Sequence, residues 1–262
     1  YLQTSIFPVD FLHDSDEVAM DANAWISKKT SGKITGLIQK KDLTQDTRLL
    51  LVNAVYFLGG WSFPFQSSNT QKDFFYTSSH EKQEVSMMSQ EHNFPYYEEN
   101  GLQIVALPIK NSTILCLLVL PTLSLDSISL SAESLSHWMN HLCSENVYLK
   151  VPKFTFSSRL DLEKTLASMG MKKAFSSTAD FSSIDGERDL FVSKMLHQSY
   201  IRFEETGIEA AAATAVIMNM TTCWQKNPPI FFEADHPFLF LLVDKNSQVI
   251  LFMGKVENAA TK

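Results

Sequence analysis

Three segments carry apolar residues at the spacing of a helix with one buried face. The first follows Asp14 or Ser15, either of which can cap its N-terminus, and it ends before Gly32. The second spans residues 131–142 and the third spans residues 160–169. The pattern therefore predicts three amphipathic helices, well separated along the chain.

Most of the remaining chain has the shorter, β-rich runs of a sheet protein. Residues 48–57, with the sequence RLLLVNAVYF, are apolar at nearly every position, which predicts a strand covered on both faces. Shorter runs predict further strands at residues 84–88, 94–97, 102–107, 114–120, 146–156 (broken at Pro152), 190–203, 230–232, 238–243 and 249–256. With no repeat and no linker between these elements, we expect one α+β domain over residues 1–262.

Composition narrows the range of functions. The formal net charge is −7, and no cluster of Lys and Arg marks a nucleic-acid surface. No apolar run approaches the roughly 20 residues of a membrane-spanning helix. Three scattered cysteines predict neither a disulfide framework nor a Cys-x-x-Cys site. We therefore expect a protein that binds neither nucleic acid nor membrane, and we also expect a monomer.

Catalytic and metal motifs are absent from the sequence, so we expect neither an enzyme nor a cofactor. The nearest metal-like group is His137 and His141 on the second predicted helix, close to Cys143 and Glu145. It lacks the acid between the histidines that a zinc protease carries. A solvated helix face is the better interpretation, and we expect no metal site.

Two polar residues interrupt strands that are otherwise apolar. Asn53 lies in the run 48–57, and His197 lies in the run 190–203. A buried polar side chain must find a partner or cost roughly 1 to 3 kcal/mol. Their spacing allows either a hydrogen bond between the two side chains or separate bonds to nearby backbone groups.

Residues 204–224, EETGIEAAAATAVIMNMTTCW, allow two interpretations. Four consecutive alanines favour a helix. Read with a period of two, both faces are small or apolar, and residues 208–223 contain neither Pro nor Gly. The segment could therefore leave the sheet as a loop or fold back into it as a strand.

The chain resembles a serpin in stretches that follow the order of that family. They are VNAVYFLGGW at 52–61, VSKMLHQ at 192–198, EETGIEAAAAT at 204–214, FEADHPFLFLL at 232–242 and LFMGKV at 251–256. The resemblance extends over essentially all 262 residues. It implies a large mixed central sheet, smaller sheets with packed helices, and an exposed reactive-site loop at about residues 205–230.

The resemblance also implies a function for that loop. A target protease cleaves the loop through its acyl-enzyme chemistry, and the hinge side then inserts between the strands of Asn53 and His197, which traps the enzyme. The implied cleavage site is the bond Thr221-Thr222, uncertain by one or two residues within Met220 to Cys223. A small or apolar residue before that bond suits an elastase-like, chymotrypsin-like or papain-like protease and disfavours a trypsin-like one.

Further residues match the family's motifs. Asn53 and His197 match its hydrogen-bonded shutter pair, and Trp61, Lys153 and Glu205 match the breach, where the loop enters the sheet. The positions that match the hinge are Glu205, Gly207, Ile208, Glu209, Ala210, Ala211, Ala212, Ala213 and Thr214.

Two departures from the family pattern bear on activity. Ile208 stands where inhibitory members usually place Thr or Ser, and the N-terminal helices of the family, with the strands among them, are missing. The resemblance therefore implies a fragment that needs a longer parent chain to trap a protease. The alternatives are a non-inhibitory carrier, storage protein or chaperone, and a truncated inactive fragment.

Two glycosylation sequons, at Asn111 and Asn219, favour a secreted protein over a cytoplasmic one.

Overall fold

The computed structural model describes residues 5–208 and 228–259. Within these ranges the α-helices are α1 (Ser15–Lys29), α2 (Ala132–His141), α3 (Glu163–Ser168) and α4 (Ser182–Asp185). The strands are β1 (Leu49–Tyr56), β2 (Gly59–Gly60), β3 (Gln71–Tyr76), β4 (Lys82–Glu99), β5 (Leu102–Pro108), β6 (Ile114–Pro121), β7 (Cys143–Pro152), β8 (Phe154–Asp161), β9 (Val192–Glu204), β10 (Gly207–Ile208), β11 (Ile230–Glu233), β12 (Phe238–Asp244) and β13 (Ile250–Val256). This mixture confirms the α+β class.

The chain divides into two compact units. Unit 1 comprises Tyr1–Tyr56 and Phe156–Ile201, and unit 2 comprises Phe57–Thr155 and Arg202–Lys262. Strand β9 begins in unit 1 and its last three residues belong to unit 2. The expectation of a single domain stays a prediction.

Unit 1 is built around a parallel pair of strands. β1 pairs with β9 in parallel, and β8 also pairs with β9. Helix α1 places the fully buried Ile26 against a cluster that contains Leu196 of β9 and Val52 of β1. Only alternate residues of β1 join this cluster, so its side chains are partly exposed and the expected cover on both faces is not found.

Unit 2 contains a sheet of eight strands in the order β11-β7-β4-β5-β6-β12-β13, with β3 also paired to β4. Its core lies where β5, β6 and β12 meet helix α2, with Leu117, Leu241 and Trp138 among the buried side chains. Ser131 caps α2 by accepting a hydrogen bond from the Ser134 amide.

Strand β4 corrects one expectation. The sequence predicted separate strands at 84–88 and 94–97, because polar residues lie between them, but β4 is one strand of 18 residues. The intervening residues pair with β7, from Ser89 opposite Lys150 to Asn93 opposite Asn146. Backbone groups make this ladder, so polar side chains do not interrupt it.

The third predicted helix also starts later than expected. Leu160 and Asp161 continue β8, where the Asp161 carboxylate lies 2.6 Å from Lys194 Nζ, and α3 begins only at Glu163. Both groups belong to unit 1.

Among the residues that the structure describes, no helix is both long and apolar enough to cross a membrane.

Candidate functional site: the turn after strand β9

The chain reverses direction immediately after β9. Glu205 and Thr206 form a turn, and Gly207 then pairs with Glu204 in an antiparallel ladder. Gly207 has a φ of 150°, a conformation that L side chains rarely adopt. A glycine at this position therefore allows the chain to fold back on β9.

The two residues after the turn form β10, a short strand with a neighbour on each side. Gly207 and Ile208 pair with Glu204 and Phe203 of β9, and they pair with Gly60 and Gly59 of β2 on the other side. The Ile208 side chain is fully buried. The start of the predicted hinge is therefore already a strand with partners on both edges.

Trp61 holds the turn through its backbone and its ring. Its backbone N–H donates to Thr206 O at 3.1 Å, and its indole Nε1 donates to Glu204 O at 2.9 Å. The ring is 2% exposed and its centroid lies 4.9 Å from that of Phe203. These contacts satisfy two carbonyl groups of the turn.

Lys153 and Glu205 form an ion pair beside this turn. Lys153 Nζ lies 2.8 Å from Glu205 Oε2, and Thr70 donates its hydroxyl to Glu205 Oε1 at 2.9 Å. Burial by itself raises the pKa of Glu205, but the bonds from Lys153, the backbone and Thr70 outweigh it and hold this pKa below its ordinary value. The structure thus brings together Trp61, Lys153 and Glu205, the three residues predicted to mark the loop's entry.

Sequence reasoning missed two members of this cluster. Arg202 lies 2.7 Å from Glu204, whose carboxylate is also 3.9 Å from Lys153 Nζ. Thr70 is the other missed residue. Arg202 could have been recognised as a charge between two apolar residues of a strand, whereas nothing in the sequence distinguishes Thr70.

Asn53 and His197 lie opposite each other in the parallel ladder of β1 and β9 in unit 1. No hydrogen bond joins their side chains, although both residues are described. Asn53 is exposed, so its side chain does not need a buried partner, whereas burial of His197 lowers its pKa. Their pairing is therefore a backbone relationship in this structure.

The other predicted residues of the loop lie outside the described residues. They are Glu209, Ala210, Ala211, Ala212, Ala213 and Thr214 of the hinge, and Met220, Thr221, Thr222 and Cys223 around the predicted cleavage site.

His137 and His141 lie on α2 with ring centroids 4.1 Å apart. Tyr97 Oη hydrogen-bonds with His137 Nε2 at 2.9 Å, and His141 Nδ1 hydrogen-bonds with His137 O at 2.7 Å. Within residues 5–208 and 228–259, no group of three or more His, Cys, Asp or Glu side chains could hold a metal ion.

The family model described as "Serpin (serine protease inhibitor)" matches residues 1–259. Intracellular coagulation inhibitor 2 of Tachypleus tridentatus is 37% identical over 259 residues, which cover 97% of this chain and 63% of the relative. The first curated relatives are thus matched over 58% to 63% of their own length.

Solved structures agree with the sequence comparison. Serpin48 of Tenebrio molitor is 35% identical with a TM-score of 0.83, over 96% of this chain and 67% of the other. Human thyroxine-binding globulin complexed with thyroxine is 30% identical with a TM-score of 0.88, over 99% of this chain and 68% of the other. The strands, the cluster around Glu205 and above all these similarities lead to one conclusion: the chain belongs to the serpin family.

Proposed function

We propose that this chain is the larger part of a serine-type endopeptidase inhibitor that acts as a suicide substrate. The bait is the segment from Glu205 to about residue 230, and the proposed cleaved bond is Thr221-Thr222 or a neighbour within Met220 to Cys223. The observation that carries the proposal is β10, because its two residues already have a strand neighbour on each side.

The register of β10 defines where a longer inserted strand would run. In an antiparallel ladder, residue numbers rise on one strand as they fall on the other. Six residues beyond Ile208 is Thr214, and six residues back from Phe203 is His197. The same count back from Gly59 ends at Asn53, which already pairs with His197. If both ladders continued in this register, Thr214 would lie between Asn53 and His197. This agreement of the two registers supports insertion between β1 and β9.

Insertion yields enough free energy to do mechanical work. Extension of β10 along the rest of β9 would add about a dozen ladder hydrogen bonds at roughly 1 kcal/mol each, on the order of 10 kcal/mol before apolar burial is counted. The small residues Ala210 to Ala213 enter such a strand without steric conflict. β1 and β9 pair directly in this structure and would have to separate first, so the count holds only because the inserted strand would bond to β1 on one edge as well as to β9 on the other.

The target protease is trapped because its own catalytic mechanism passes through a covalent acyl-enzyme. The protease forms an acyl-enzyme with the residue before the cleaved bond, and the inserting segment pulls that ester across the sheet. An oxyanion hole pulled out of register no longer stabilises the hydrolytic transition state. A Thr or Met before the bond suits an elastase-like or chymotrypsin-like serine protease, or a papain-like cysteine protease, and disfavours a trypsin-like one.

The test is to incubate the intact protein with one protease of each of these four classes and to look for a detergent-stable complex. We expect a complex with an elastase-like or chymotrypsin-like enzyme and none with trypsin. Ala212→Pro removes a ladder donor and should convert inhibition into plain cleavage, whereas Ala212→Ser should retain the complex. Cleavage of the unmodified protein without any complex would overturn the proposal.

A carrier or storage role is the second candidate. Ile208, instead of Thr or Ser, fills a fully buried site at the start of the hinge, so withdrawal of the hinge exposes a large apolar side chain. Thyroxine-binding globulin, whose solved complex contains thyroxine, has the same fold. In this alternative, cleavage leaves the thermal midpoint unchanged, whereas an inserting loop raises it sharply.

A secreted location is part of the proposal and is supported by the sequons at Asn111 and Asn219. The Tachypleus relative is named an intracellular inhibitor, so a cytoplasmic location is the alternative. We propose a monomer that needs no cofactor, and its proposed partner is the target protease.

A further inference from the structure

The turn between β5 and β6 presents four consecutive exposed residues. They follow Ile109, whose N–H donates to Ile114 O at 3.0 Å and closes the hairpin. The exposed residues are Lys110, Asn111, Ser112 and Thr113. Three of them form the tripeptide Asn-Ser-Thr, which has the pattern of an N-glycosylation sequon.

Asn111 combines exposure with an unengaged side chain. No residue that the structure describes forms a hydrogen bond with the Asn111 side-chain amide. Its backbone has a φ of 55°, in the left-handed region that Asn tolerates better than most residues. Nothing described in unit 2 therefore competes for the amide nitrogen.

The neighbouring side chains shape the turn but leave that amide free. Ser112 Oγ accepts from the Ile114 amide at 3.1 Å, and Thr113 donates its hydroxyl to the Asp244 carboxylate. These contacts explain a small hydroxyl residue at each position. They do not explain Asn at 111, because Gly would adopt the same φ with less strain.

We propose that Asn111 is an N-glycan acceptor, on the exposure of its turn and its unengaged side chain; the proposal rests on the secreted location of the proposed function and adds no support to it. The donor class is an oligosaccharide linked to a polyisoprenyl diphosphate. A bond forms between Asn111 Nδ2 and the anomeric carbon of the sugar, while the bond from that carbon to the diphosphate oxygen breaks. The amide loses one proton, and the polyisoprenyl diphosphate leaves with the electron pair. No electron donor or acceptor is required.

The second sequon, at Asn219, lies outside the described residues and forms no part of this inference. To separate the two sites, every test protein carries Thr221→Ala, which removes that sequon alone. Inhibition is not measured in this experiment, so failure of the inhibitor proposal cannot be mistaken for failure of the glycan proposal.

The test is to translate the intact protein into microsomes behind an appended signal sequence, with a known acceptor tag at one end. We expect the mass shift of one additional glycan, and peptide N-glycosidase should remove it. Asn111→Gly keeps the left-handed backbone and should abolish the shift, as should Thr113→Ala. Asp244→Asn keeps the sequon while it weakens the Thr113 contact, so the shift should remain.

Two outcomes would overturn the proposal. One is an unmodified Asn111 on chains whose acceptor tag is glycosylated, because such chains have met the transferase. The other is a shift at this site that persists in Thr113→Ala. The transferase meets the chain as it enters the microsome, so a variant that folds poorly still gives a valid readout, and the exposed turn lets the folded protein keep the glycan at Asn111.

Discussion

Ile208 lies directly opposite Phe203 in the ladder of β10 and β9, and both side chains are fully buried. The first apolar residue after the turn therefore anchors the segment that follows it. In the inhibitor proposal, this contact lets the hinge enter the sheet without a new nucleation step, because the first pairs are already made.

Ile208→Ala should loosen β10 without unfolding the protein. It removes most of a buried side chain, so the free energy that holds residues 207 and 208 between β9 and β2 should fall. Hydrogen exchange of their amides should accelerate by an order of magnitude or more, with little change in the global midpoint. The control is Ile184→Ala, at a side chain that is 41% exposed. If the amides of residues 207 and 208 exchanged at the same rate in both variants, the anchoring role of Ile208 would be contradicted.

Glu205→Gln should destabilise the turn by about 1 to 3 kcal/mol, because the partly buried Lys153 loses its closest partner. Chemical denaturation of Glu205→Gln, of a variant changed at Lys153 and of the variant with both changes measures the coupling energy of the pair. The matched control is Glu84→Gln, at the exposed pair of Lys72 and Glu84. An equal loss of unfolding free energy in Glu205→Gln and Glu84→Gln would show that the Lys153–Glu205 pair stabilises the fold no more than an exposed ion pair does.

The same pair predicts a pH dependence. The folded pKa of Glu205 lies below its ordinary value, so its contribution is complete above the unfolded pKa and is lost as pH falls through the folded pKa. The acid limb of the stability curve should therefore become shallower in Glu205→Gln than in the unmodified protein.

His197 should weaken the fold in mild acid. Burial lowers its pKa from the ordinary 6.5, so below that pH the unfolded chain binds a proton that the folded chain does not. The free energy of unfolding should fall between pH 6.5 and the folded pKa, and His197→Gln should remove that part of the slope. A slope that persists in the variant would assign it to other groups.

Arg202 should assist insertion through Glu209. Glu209 lies outside the described residues, but if insertion extended the ladder by one residue beyond Ile208 and Phe203, it would face Arg202, which pairs with Glu204 in this structure. Opposite charges directly across a ladder favour pairing. Arg202→Glu should therefore slow the rise in thermal midpoint after the bait is cleaved.

A charge-swapped variant tests this pairing. Arg202→Glu combined with Glu209→Arg should recover the rate lost in the single variant. No recovery would exclude the pairing. If the unmodified protein shows no rise at all after cleavage, the inhibitor proposal fails instead.

The sequence predicted most of the strands because their apolar runs reflect burial. It also predicted Trp61, Lys153 and Glu205 at the loop's entry; the three lie together in the structure, and their role there stays a prediction. That prediction came from the family resemblance, because ion pairs between residues far apart in the chain leave no periodic signal. The length of β4 was wrong, since its central residues are polar and only the ladder with β7 makes them a strand.

By itself, the sequence determined the class, most of the strands and the family, because these depend on patterns local to a segment. Only the tertiary structure decided that Asn53 is exposed and that Ile208 is already paired on both sides. It also brought Thr70 and Arg202 to the turn. Burial and ladder partners depend on which segments meet after folding, and more than a hundred residues along the chain separate Thr70 from Glu205 and Trp61 from Glu204.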